Sequence, residues 1–197
     1  CEAEYIPVPM DDDGINVDLL EDAMRAGPKF LYLLPNFHNP AGVTLSLERR
    51  RRVVELANHY GTPIIEDDPY GQLRYQGEHL PSLVQLDAEF HGCGDGETTL
   101  TGNVIYLSTF SKTLAPGLRV AWIVAPEEVI ARLVQMKQGA DLCSGTFAQH
   151  VAYEVARDGF MDRHVRKIRA VYGERRLAML DSLARHFPWL LGVALIG

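Results

Sequence analysis

Apolar and polar positions follow two rhythms along this chain. Four short runs are apolar at nearly every position and of strand length: Phe30-Leu31-Tyr32-Leu33-Leu34, Pro63-Ile64-Ile65, Val104-Ile105-Tyr106-Leu107 and Val120-Ala121-Trp122-Ile123-Val124. The last two are expected to be buried on both faces. Between the runs the period lengthens to that of a helix. Asn16 is placed to cap a helix through Arg25 that Gly27-Pro28 stops, and Ser46 to cap one from Leu47 to Tyr60 with Gly61 past its end. In the second, Val53, Val54, Leu56 and Ala57 form the apolar stripe, and the run Arg49-Arg50-Arg51-Arg52 is expected to be a solvated face. Pro126-Glu127-Glu128 opens a helix to Lys137, and further helical patterns cover residues 146–157 and about 161–186. Residues 4–8 read as a short strand, 87–103 as a polar, glycine-containing surface loop, and 193–197 as an apolar strand-like tail.

Continuous apolar strands separated by helices imply an α/β fold, with a mostly parallel sheet and helices on both faces. A length of 197 residues allows one full domain and part of a second. With 47% hydrophobic and 23% charged residues the chain can bury a sizeable core, which excludes a disordered or collagen-like polymer. The formal net charge of −7 has the wrong sign for a nucleic-acid or anionic-membrane surface, so a small-molecule ligand is expected. Cys1, Cys93 and Cys143 show neither metal-ligand nor redox spacing, which points to reduced thiols and a cytoplasmic location. His91 and Cys93 are too few for a closed metal site, so no metal is expected. Gly92, Gly94 and Gly96 follow no strand and open no helix, unlike a dinucleotide fingerprint. A start without Met and an apolar tail lead us to expect a piece of a longer protein.

Chemistry collects at the carboxyl ends of the strands, where parallel α/β sheets bind ligands. The first run leads into Pro35-Asn36-Phe37-His38-Asn39-Pro40-Ala41-Gly42, which presents an amide. Glu66-Asp67-Asp68-Pro69-Tyr70 follows the second and brings carboxylates and a phenol. Ser108-Thr109-Phe110-Ser111-Lys112 follows the third, with hydroxyls beside an amine and Arg119 seven residues on. Each piece alone has an ordinary structural explanation. Together they suit a phosphorylated pyridine aldehyde: an amine to condense with it, a carboxylate to hold its ring nitrogen protonated, and hydroxyls with a guanidinium for its phosphate.

These motifs, with Glu66-Asp67-Asp68-Pro69-Tyr70-Gly71 and Thr109-Phe110-Ser111-Lys112-Thr113-Leu114-Ala115-Pro116-Gly117-Leu118-Arg119, resemble a fold-type I, class I/II pyridoxal-phosphate-dependent aminotransferase of the aminoadipate and aromatic subgroup. The resemblance covers essentially the whole chain. It implies the large domain of such an enzyme, incomplete at both ends: residues 1–160 as the pyridoxal 5′-phosphate-binding domain without its N-terminal part, and 161–197 as a long helix leading into a truncated small domain. It also implies that Lys112 is the Schiff-base lysine and general base, buried beside Arg119; that Asp67 pairs with the ring nitrogen; that Asn39 and Tyr70 hydrogen-bond the ring hydroxyl; and that Thr109, Ser111 and Arg119 hold the phosphate. Thr109 stands where serine is usual, Ala41 where Thr or Ser is frequent, and His38, where glutamine is common, is taken as a loop residue.

The implied reaction is ping-pong amino transfer from an amino acid to a 2-oxo acid, with 2-oxoglutarate the expected acceptor, in a homodimer. The ring-stacking aromatic and a backbone phosphate cradle belong upstream of such a segment, and the carboxylate-clamping arginine downstream. By itself the chain is therefore expected to bind the cofactor poorly. A second reading is the aminotransferase-like effector domain of a GntR/MocR-type transcription regulator. Those domains commonly place the tyrosine two residues after the aspartate, whereas Tyr70 follows Asp67 by three, as in the enzymes. A Ser-Lys hydrolase is a third, but no companion motif follows Ser111-Lys112.

Overall fold

The computed structural model describes residues 2–92 and 101–187. Cys1, the glycine run from residue 93 and the tail at 193–197 lie outside the described residues. A two-stranded antiparallel hairpin, β1 (Met10–Asp11) and β2 (Gly14–Ile15), leads into α1 (Val17–Arg25). The Asn16 side chain caps α1 as its position implies, accepting the N–H groups of Asp18 and Leu19 at 3.1 Å each. There follow β3 (Leu31–Leu33), α2 (Leu47–Tyr60), β4 (Ile64–Asp67), α3 (Leu83–Phe90), β5 (Val104–Thr109), the single turn α4 (Phe110–Thr113), β6 (Ala121–Val124), α5 (Glu127–Ala140), α6 (Thr146–Ala156) and α7 (Phe160–His186). Among the described residues no helix is long and apolar enough to cross a membrane.

The sheet runs in the order β3-β4-β5-β6, with β3, β4 and β5 parallel and β6 antiparallel to β5. Its register places Leu31, Ile64 and Val104 side by side, and Tyr32, Ile65 and Ile105 next to them. Because successive side chains on a strand point to opposite faces, the first row packs into the helical layer and the second points away from it. The core forms under the first row: Leu20 and Met24 of α1, Val53, Val54, Leu56 and Ala57 of α2, and Leu83 and Leu86 of α3 close over Ile64 and Val104. The stripe expected on α2 is therefore the buried one, and Gly61 ends that helix in the left-handed conformation, with φ of 63°.

Four expectations are corrected. Residues 4–8 form no strand; pairing begins only at Met10, and no described strand lies beside the earlier segment. The 87–103 segment does not begin as a loop, because α3 runs to Phe90. Its start is a capping box in which Gln85 N–H donates to Ser82 Oγ at 3.3 Å and Ser82 N–H to Gln85 Oε1 at 2.9 Å. Asp87 on that helix is buried and accepts from Asn58 Nδ2 at 2.7 Å and Val104 N–H at 3.1 Å. β6 is not buried on both faces, since Ala121, Ile123 and Val124 are exposed and α5 brings no buried residue against them. Finally, Arg50 is wholly buried rather than solvated. It stands three and four residues before Val53 and Val54, on the apolar stripe itself.

Glu66 shows what burial does to a carboxyl in this core. It caps α3 by accepting the N–H groups of Leu83 and Val84 at 2.9 and 3.0 Å. Desolvation outweighs those bonds and pushes its pKa up to about 7. Below its ordinary value of 4.5 the group is protonated in folded and unfolded chains alike. Between there and about 7 only the unfolded chain gives up the proton, so the group's contribution to stability falls as pH rises, by on the order of 3 kcal/mol in total. Urea unfolding at about pH 5 and about pH 8 is expected to show wild type losing more stability over that interval than Glu66→Gln; equal losses in both would mean that the group does not titrate in this window.

Candidate active site

The carboxyl ends of β3, β4 and β5 lie along one edge of the sheet. Because β6 runs backwards beside β5, with Thr109 opposite Ala121, the segment before β6 returns to that same edge and brings Arg119 with it. Asp67 ends β4, Thr109 ends β5, and Ser111 and Lys112 occupy the turn α4 just beyond. Register also assigns a face. Tyr32 is level with Ile65, so Asp67 sits two positions further along the neighbouring strand, on the sheet face turned away from α1–α3.

On this edge one end is built for an anion. Thr109 Oγ1 accepts the Ser111 N–H at 3.0 Å, donates to the Val120 carbonyl at 3.1 Å and lies 2.9 Å from Ser111 Oγ. Arg119 donates to Ser111 Oγ at 3.4 Å and to the Pro116 carbonyl at 3.2 Å. Its backbone is left-handed, with φ of 53°. That conformation costs a non-glycine residue about 1 kcal/mol or more, and such outliers gather where a side chain must be aimed. Phe37, on the loop after β3, has the same feature, with φ of 51°.

Lys112 is exposed, not buried as expected, and its amine stands over the Tyr70 ring at 5.8 Å from the centroid. At the other end of the group, Asp67 accepts the Tyr32 phenol at 2.6 Å. This bond joins a residue overlooked in the sequence to one singled out there. The Tyr32 pKa is pushed up to about 12, by burial first and then by the Asp67 carboxylate, with Tyr70 adding to it. Asp67, Tyr70, Thr109, Ser111, Lys112 and Arg119 are thus collected at one sheet edge. Asn39 rides on the loop leaving β3 at that edge, exposed, and makes no side-chain hydrogen bond among the described residues. His38 shares the loop, and its buried Nδ1 has no hydrogen-bond partner among the described residues.

Beneath the edge lies a buried polar network that sequence reading missed. Arg50 reaches up from α2, and its guanidinium donates to the carbonyls of Leu45 at 2.9 Å, Pro81 at 2.9 Å and Pro35 at 3.1 Å, and to Asn36 Oδ1 at 2.7 Å. Asn36 Nδ2 in turn donates to Asp68 Oδ1 at 2.9 Å. Asp68 also accepts the Gly71 N–H at 2.9 Å and the Tyr106 phenol at 3.3 Å, while Ser108 Oγ donates to its backbone carbonyl at 2.9 Å. A Cβ at Gly71 would come within 2.5 Å of Asp68 Oδ2 and 2.8 Å of Asn36 Nδ2, so only glycine admits this approach. The network ties the loop carrying Asn39 to the turn carrying Asp67 and Tyr70. Spacing on α2 flags Arg50, but its partners emerge only from the fold.

Two clefts are present among the described residues. One of about 650 Å³ beside α4 is lined by Phe110, Thr113, Trp122, Val165, Arg166 and Arg169, and the buried Thr113 hydroxyl has no hydrogen-bond partner among the described residues. The other, of about 570 Å³, lies between α1, α2 and α3 and holds none of the candidate site residues.

The donor set suits a ligand with opposite charges at its two ends. A guanidinium and two hydroxyls at the strand ends fit a phosphate, a carboxylate with one oxygen unclaimed fits a protonated ring nitrogen, and a primary amine stands beside Tyr70 on the same segment as the hydroxyls. That is the charge pattern of pyridoxal phosphate, and the residues present fit it.

Comparison with known proteins agrees with this chemistry. Residues 1–195 match the sequence family described as aminotransferase class I and II. The chain is 43% identical over 193 residues to aromatic-amino-acid aminotransferase 1 of Thermococcus litoralis, covering 95% of this chain and 43% of that protein. The crystal structure of LysN, the α-aminoadipate aminotransferase of Thermus thermophilus complexed with N-(5′-phosphopyridoxyl)-L-leucine, superposes with a TM-score of 0.84 at 39% identity, covering 94% of this chain and 45% of that one. An uncharacterized HTH-type transcriptional regulator of Bacillus subtilis, YisV, is 36% identical over 180 residues, covering 91% of this chain and 35% of the regulator. The chain spans less than half the length of each of these relatives.

The network makes Arg50 a point of failure for the edge. Arg50→Met keeps most of the volume but strips donors from three carbonyls and from Asn36, and leaves Asp68 with Arg74 as its remaining nearby cation. Denaturant unfolding is expected to show a loss of roughly 3–5 kcal/mol with little change in the slope against denaturant. A loss below about 1 kcal/mol would mean that the network does not hold the edge.

Proposed function

Because the chain belongs to the class I and II aminotransferase family, we propose that the whole protein is a pyridoxal-phosphate-dependent aminotransferase that moves an amino group from an amino acid to a 2-oxo acid, with 2-oxoglutarate the acceptor. The observation that carries this reading is the return of Arg119 to the strand-end edge that already holds Lys112, Ser111 and Asp67. Pyridoxal phosphate, when bound, supplies an aldehyde that condenses with amines and a ring that accepts the electron pair released at a substrate α-carbon.

Each residue then has a task its chemistry can perform. Lys112 would hold the cofactor through its ε-nitrogen, and its free amine would carry a proton at Nζ to and from the substrate α-carbon. Asp67 holds the ring nitrogen in its protonated form through one carboxylate oxygen. Arg119, with the Thr109 and Ser111 hydroxyls, neutralises the phosphate, its guanidinium steered by its bonds to Ser111 Oγ and the Pro116 carbonyl. Tyr70, beside Lys112, and Asn39, on the neighbouring loop, are assigned to the ring hydroxyl.

In this reading residues 1–160 belong to the cofactor-binding domain and 161–197 lead toward a further one. A homodimer is part of it, supported by the large apolar side chains that α5–α7 leave exposed, among them Met136, Phe147, Tyr153 and Leu177. The match to a helix-turn-helix regulator favours a second reading, a cofactor-sensing effector domain with the same edge. The two differ in turnover: only the enzyme converts a 2-oxo acid to an amino acid.

The deciding experiment adds pyridoxal phosphate to the full-length protein, reduces with borohydride and maps the modified peptide. Label is expected on Lys112 and to be lost in Lys112→Ala, together with all amino transfer, a fall of at least about 10³-fold. Label at another lysine, or a cofactor absorption band that survives Lys112→Ala, would remove the role given to Lys112.

A further inference from the structure

We propose that Tyr32 is a positioning residue for Asp67: its phenol holds one carboxylate oxygen so that the other is presented to the ring nitrogen of the bound cofactor. The inference rests on the cofactor reading above and adds a residue that neither the motifs nor that reading assigns.

Three observations carry it. Tyr32 and Asp67 stand diagonally on adjacent parallel strands and on the same face of the sheet, a geometry fixed by the register Tyr32 to Ile65 and Leu33 to Glu66. The O–H···O distance is 2.6 Å, in the range of a charge-assisted bond to an ionised acceptor. And Tyr32 is the one hydrogen-bond partner of the Asp67 carboxylate among the described residues, so Oδ1 has no competing donor there.

The physical need follows from where Asp67 sits. It is half-buried, on a face where Tyr32 itself is 53% exposed. The terminal torsion of an aspartate is broad, and an unheld carboxylate there swings through a wide arc. One donor on Oδ2 turns that arc into a single orientation before any ligand arrives. Partial desolvation of the phenol and the Asp67 charge push its pKa up to about 12, so the donor is retained through the neutral range. Asp68, the neighbouring carboxylate, is consumed by Asn36, Gly71 and Tyr106 and points into the helical side of the edge. Only one of the two acids is left for a ligand, and the phenol is what steadies it.

The test compares two ligands that differ at the ring nitrogen alone: pyridoxal phosphate and its 1-deaza analogue, in which C–H replaces N. Their dissociation constants are measured on the full-length protein and on Tyr32→Phe. Wild type is expected to prefer pyridoxal phosphate; in Tyr32→Phe that preference is expected to shrink by about 10-fold, with the analogue's own affinity unchanged. Both ligands see the same folded molecules, so the ratio is insensitive to a general loss of stability. In the Asp67→Asn background, Tyr32→Phe is expected to leave the ratio where it is. Equal weakening of both ligands, an unchanged preference, or an additive effect in the double variant overturns the role of Tyr32 while the cofactor reading stands. Failure of wild type to bind pyridoxal phosphate at all overturns both.

Discussion

A positive charge with no access to water constrains this chain more than any other single group. Arg50 lies wholly inside, and its guanidinium can be kept there only if nearly every N–H finds an acceptor. Three backbone carbonyls and the Asn36 side chain fill that demand, and they come from two connections: both ends of the β3–α2 loop and the approach to α3. A loop that satisfies a buried cation cannot wander. The segments that carry Asn39, Asp67 and Tyr70 are therefore held from below by a group that touches none of those three side chains.

This arrangement separates two jobs given to neighbouring residues of the same type. Asp67 and Asp68 are adjacent carboxylates pointing to opposite sides of one strand end. Asp68 is spent on Asn36, Gly71 and Tyr106, which welds the β3 loop to the β4 turn. Asp67 has a phenol on one oxygen only. The left-handed backbone at Arg119 works in the same direction on the far side of the site, since a strained residue is kept only where its surroundings hold it.

Much of the site could be read from the amino-acid string because its residues follow strands, and strands with continuous apolar character are easy to see. Glu66-Asp67-Asp68 after Ile64-Ile65, and Ser111-Lys112 after β5, needed only the rule that ligands gather at carboxyl ends of parallel strands. Tyr32 could not be found that way. It lies within an apolar run, and its partnership with Asp67 exists only once β3 and β4 are in register. Arg50 is the opposite case: the signal was present, because it falls in phase with Val53, Val54 and Ala57, but a run of four arginines invites reading as a surface. Of the elements, α3 was signalled by its Ser-x-x-Gln box and was obscured by the glycines that follow it. β6 looked like a strand buried on both faces because composition reports apolarity and not position; among the described residues it ends the four-stranded sheet.

The reversal of β6 has a consequence for how such a protein can change over time. Thr109 to Ala121 is a short excursion that leaves the sheet and rejoins it on the adjacent strand, closed at its neck by the Phe110 N–H and the Thr109 hydroxyl on the Val120 carbonyl. Lys112 and Arg119 both ride on it. Their separation is set inside a dozen residues and is indifferent to insertions elsewhere in the chain. Lineages can therefore rebuild distant loops to admit new substrates while the amine and the guanidinium are inherited as one unit.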